Sequence, residues 1–119
     1  MSGPGGESAS PAAEQPTSYD YRLTSTCGER GFLGTFDVTV RDDEVVRATA
    51  VRRYRGRVRL GEVPTLTDLV EMAEGADGDA VVDLRVDRRG RPTSLRIDHR
   101  PDAIDDEECY AVDHLELRP

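Results

Sequence analysis

Arg53, Arg55, Arg57 and Arg59 recur at every second position, with Tyr54, Gly56, Val58 and Leu60 between them. On an extended backbone that spacing lines four guanidinium groups along one face. Planar, doubly donating guanidiniums suit phosphate, nucleic acid or an acidic glycan. The competing reading is a solvated strand or loop balanced by nearby acids. The composition favours it. The net charge is −8, which repels phosphate backbones and anionic surfaces. There is no Trp, and only Tyr 4 and Phe 2 could stack on bases. Nucleic acid is therefore not an expected partner.

Asp102, Asp105, Asp106, Glu107 and Glu108 form the second constellation. Clustered carboxylates suit Ca²⁺, but the alternating Asp pattern and closing Glu of an EF-hand are missing. Among these, Asp102, Asp105, Asp106 and Glu107 are the candidate metal ligands, against the simpler reading of a solubilising loop before a strand. His99 and His114 are the two histidines; either could join an Asp or Cys109 on zinc, but their spacing fits no standard site. No nucleophile motif is present and Lys is absent, so no catalytic residue and no cofactor is expected.

Cys27 and Cys109 are the only cysteines. Two readings compete. One is a disulfide closing a long loop, which the chain-entropy relation values at about 4–5 kcal/mol and which belongs to an oxidising compartment. The other is a pair of buried free thiols.

The elements that must carry these residues are mostly strands. Ala80, Val82, Leu84 and Val86 alternate with polar residues, as do Thr93, Leu95 and Ile97 after Arg88-Arg89-Gly90-Arg91-Pro92. This predicts a hairpin with one face in water. Tyr19, Tyr21 and Leu23 predict a first strand, Phe36, Val38 and Val40 a second, and Val46, Ala48 and Ala50 one face of a third. Asp42-Asp43 is a two-residue turn candidate lacking the usual Gly. In the last strand Tyr110 and Val112 lie on one face, then Leu115 and Leu117 on the other. A bulge near Asp113-His114 accounts for the change of phase.

Thr65 with Asp68 resembles a capping box, and Leu66, Leu69, Val70 and Ala73 fall on one helical face. Gly75 and Gly78 end that helix. The order β-β-β-α-β-β-β predicts an α+β domain: an antiparallel sheet of about six strands with one helix packed on one face. Residues 1–17 are rich in Ser, Gly, Pro and Ala and read as a disordered leader or tether; residues 18–119 are the single domain.

Tyr19-Asp20-Tyr21, Cys27, Phe36-Asp37-Val38-Thr39-Val40 and Thr65-Leu66-Thr67-Asp68-Leu69 follow one another along the chain. Gly90-Arg91-Pro92, Ser94-Leu95-Arg96-Ile97-Asp98, Asp105-Asp106-Glu107 and Tyr110-Ala111-Val112 complete the series. In this order they resemble a family of small bacterial, mainly actinobacterial, extracytoplasmic or lipoprotein domains of unknown function. The resemblance implies an extracytoplasmic location, a tether to a lipid anchor removed from this chain, and a Cys near the end of the first strand. Cys109 departs from the usual pattern.

No run of the sequence is apolar enough to span a membrane, and no signal segment is recognisable. The expected function is a non-enzymatic, exported or envelope-associated binding module, monomeric, with an unknown protein or envelope partner. One alternative is a small-ligand or Ca-binding protein using residues 102–108 or the arginine stripe. Another is an inhibitor or accessory subunit presenting a sheet face.

Overall fold

In a computed structural model of the chain, residues 11–27, 33–52, 58–76, 78–99 and 107–119 are described. Six strands follow in order: β1 (Tyr19–Cys27), β2 (Gly34–Arg41), β3 (Glu44–Ala50), β4 (Val81–Val86), β5 (Pro92–Asp98) and β6 (Glu107–Leu117). A short 3-10 turn at Leu60–Glu62 and the helix α1 (Leu66–Glu74) lie between β3 and β4. One sheet has the order β3-β2-β1-β6-β5-β4, every pairing antiparallel. This is the expected α+β architecture.

Alternation explains the sheet. Tyr19, Tyr21 and Leu23 stand opposite Val40, Val38 and Phe36, and all six are buried. Leu95, Ile97 and Val112 extend the same apolar layer. Leu66 and Leu69 of α1 close it from above, packing over the β4–β5 side. Fully burying one such leucine is worth about 1.5–3 kcal/mol.

The helix begins at Thr65. Its hydroxyl accepts from Asp68 N–H at 2.9 Å, and the Asp68 carboxylate accepts from Thr65 N–H at 3.0 Å. That reciprocal pair satisfies two otherwise unpaired donors. Two core tyrosines fix where the helix starts. Leu66 N–H donates to the Tyr19 hydroxyl at 2.7 Å, and the Tyr21 hydroxyl donates to the Pro64 carbonyl. The apolar rings thus lie in the core while their oxygens meet backbone groups at the helix start. Gly75 caps the other end.

Two details correct the strand readings. A register shift opposite Thr39 and Val40 lets Val45 enter the core, leaving Val46 exposed, although Ala48 and Ala50 pack inward as expected. In β6 the predicted bulge is present, with His114 at φ 56°. It consumes one residue, so Leu115 packs on the core and Leu117 pairs with Tyr19. Both return to the face of Val112 instead of opposing it. The β2–β3 connection is the two-residue turn, with Asp42 and Asp43 at φ 53° and 63°. Positive φ at both central positions is the type I′ conformation that matches strand twist.

Within the expected leader, residues 11–17 run along the domain. Ala12 N–H donates to the Gly90 carbonyl, as does the Gln15 side-chain amide, and Asp43 N–H donates to the Thr17 carbonyl. The segment therefore spans from the β4–β5 turn to the β2–β3 turn, beside Thr67, Val70 and Glu71 of α1.

Candidate interaction surface

The sheet has a second face. Residues of opposite parity to the core, such as Asp20, Arg22 and Thr24 on β1, project from it, and no described element covers them. Polar residues there meet across strands. Arg22 Nε donates to Asp37 Oδ1 at 2.9 Å, and Thr24 and Thr35 hydroxyls lie 3.3 Å apart. Asp20 sits between Arg41 at 3.4 Å and Arg118, whose Nε is 2.9 Å away. The Arg118 hydrogen bond holds the Asp20 carboxyl below its ordinary range. Arg96 meets Glu107 at 3.0 Å, and within β4 Arg85 meets Asp83 at 3.6 Å. Exposed pairs of this kind are worth little singly, but they order a charge pattern.

A hollow of about 460 Å³ lies on this face, lined by Asp20, Asp37, Thr39, Arg47, Thr49, His114 and Glu116. Arg47 has no ion partner among the described residues, so its guanidinium is available in a hollow that three carboxylates line. A second hollow, about 550 Å³, lies at the far end of β1–β3, where exposed Leu33 and Val51 flank Arg22 and Arg52.

The candidates from sequence are placed unequally. Arg53, Arg55 and Arg57 lie outside the described residues; Arg59 is exposed just before the 3-10 turn, its carbonyl accepting from Glu62 N–H. Asp102, Asp105 and Asp106 also lie outside. Glu107 is engaged by Arg96, and Glu108 by His99 at 2.6 Å, with the Tyr110 hydroxyl donating to its other oxygen at 3.3 Å. His114 meets Asp113 at 2.9 Å in an exposed position.

Cys27 and Cys109 are joined: S–S 2.01 Å, Cα–Cα 5.1 Å, across the β1–β6 pair. Glu107 is the third donor within reach of both sulfurs. Bonded to each other, those sulfurs are not thiolates, and the trio lacks the charge of a metal site. What residue patterning missed was the cross-strand arrangement of this face. The Arg22–Asp37 and Asp20–Arg118 relations appear only once register is known.

The model of a family of unknown function, DUF6174, matches residues 10–117, and the chain belongs to that family. No curated protein and no solved structure matches it. The match begins where residues 11–17 first touch the domain.

Proposed function

We propose that this DUF6174 member is a non-enzymatic, exported binding module, held at the cell envelope and engaging a protein partner through the uncovered face of its sheet. The observation that carries the reading is the Cys27–Cys109 bridge, which ties the two central strands together. Disulfides persist in oxidising compartments and are rare in reducing ones. The composition of residues 1–10, rich in Ser and Gly, supports a tether role.

The chemistry of the open face supports binding over catalysis. Its carboxylates are largely matched by arginines, and His114 sits against Asp113. The hollow beside Arg47 has both charge signs and threonine hydroxyls, a pattern suited to a polar protein surface. An inhibitor or accessory subunit would use the same face.

A photo-crosslinking amino acid at Thr39, in the hollow, and separately at Glu71, on the helix, tests this in the producing cell. A covalent adduct formed from Thr39 and not from Glu71 is expected. Absence of adduct at Thr39, or equal adducts at both, overturns the use of this face.

A further inference from the structure

We infer that the outer edge of β4 pairs with β4 of a second copy of this chain, about a two-fold axis through Leu84. The inference is independent of the exported reading and stands against the expectation of a monomer.

The two edges of the sheet differ. At β3 the register shift at Val45–Val46 disrupts the ladder, and the 3-10 turn at Leu60–Glu62 packs against the strand. Bulges and covering segments are how edges are kept from pairing. The β4–β5 ladder also shifts register, between Arg85 and Val86, but there the extra residue is Thr93 of β5, so β4 itself carries no bulged residue; among the described residues no strand pairs with its outer side. It is also apolar: Val81 is 58% exposed and Val82 37%.

The backbone groups available there follow from the hairpin. Asp87 N–H donates to the Arg91 carbonyl inside the β4–β5 hairpin. Alternation along an antiparallel strand then turns the N–H and C=O of Val82, Leu84 and Val86 outward. A two-fold pairing must match these outward residues with one another. Centred on Leu84, it sets Leu84 opposite Leu84 and Val82 opposite Val86 on the helix side. On the open side Asp83 stands opposite Arg85 of the second copy, twice by symmetry.

Charge selects this register. Centring on Asp83 would oppose two Asp83 carboxylates. Centring on Arg85 would oppose two Arg85 guanidiniums and set Asp83 against Asp87. Like charges directly opposite destabilise a strand pair and unlike charges stabilise it. Of the registers centred on Asp83, Leu84 and Arg85, the Leu84 register alone is complementary at both charged positions; centring on Val86 would draw Arg88 and Arg89 of the turn into the ladder, beyond the end of β4. An isologous contact of this kind closes at two copies, and joins two six-stranded sheets into one continuous surface.

The test is a charge swap read by sedimentation equilibrium of the full chain from micromolar to millimolar concentration. The wild type is expected to dimerise. Asp83→Arg and Arg85→Asp each place like charges opposite, twice, and should weaken association about tenfold or more. The double variant Asp83→Arg with Arg85→Asp should restore it to the wild-type range. Amide exchange at Leu84 should slow as concentration rises, while Tm and the far-UV spectrum show that each variant folds. A chain monomeric throughout, as it would be if the edge serves a strand of another protein, overturns the inference. So does dimerisation untouched by either single variant, or a double variant no better than the singles.

Discussion

The Gly90 carbonyl accepts the Ala12 amide at 2.9 Å, and a Cβ on Gly90 would lie only 2.5 Å from that same nitrogen. Gly90 also has φ 80°, a left-handed conformation that costs other residues. The turn and the docked segment therefore depend on one missing side chain. Gly90→Ala should destabilise the fold by about 1–3 kcal/mol in chemical denaturation, from backbone strain and loss of the contact. Ala12 amide exchange should accelerate most.

The Tyr19 hydroxyl accepts the first helical N–H, that of Leu66, and Tyr19→Phe removes this acceptor. Leaving that buried donor unpaired should cost about 1–3 kcal/mol in equilibrium unfolding. Tyr21 with the Pro64 carbonyl makes a parallel case on the donor side.

The same two tyrosines set the alkaline limit. Burial pushes both hydroxyls well above the ordinary tyrosine range. The folded state thus retains protons that the unfolded chain releases. Their contribution is fully present below the unfolded pKa of about 10 and is lost as pH rises beyond it. Thermal melts should hold steady toward pH 10 and fall steeply above, with tyrosinate absorbance appearing together with unfolding.

Asp42 and Asp43 make a type I′ turn without glycine. Asp43 N–H is already used by the Thr17 carbonyl, and glycine would keep that bond. Asp43→Gly relieves a positive φ and should raise stability by about 0.5–1 kcal/mol, measured as a higher denaturation midpoint.

The architecture was readable because each core strand repeats apolar residues with period two and α1 carries its own cap. Tyr19 to Leu23 and Thr65 with Asp68 are local signals, and local signals survive in one dimension. Val46 was misread because a bulge changes parity without changing residue type. The docking of residues 11–17 runs through backbone amides at Ala12 and Asp43, which leave no side-chain signature. The pairing of Arg22 with Asp37 and of Asp20 with Arg118 needs strand register, which no alternation pattern contains. Cys27 and Cys109 are 82 residues apart, and only the β1–β6 pairing brings them together.

That bridge is the centre of the account. Closing a loop of 82 residues should stabilise the domain by about 4–5 kcal/mol, the amount expected to be lost when both cysteines become serine. The most direct measurement is the intact mass of the chain taken from its producing cells, unfolded in an alkylating reagent without reductant. The account predicts a chain carrying no alkyl group and lighter than the dithiol form by two hydrogen atoms. A chain labelled at both Cys27 and Cys109 would contradict it.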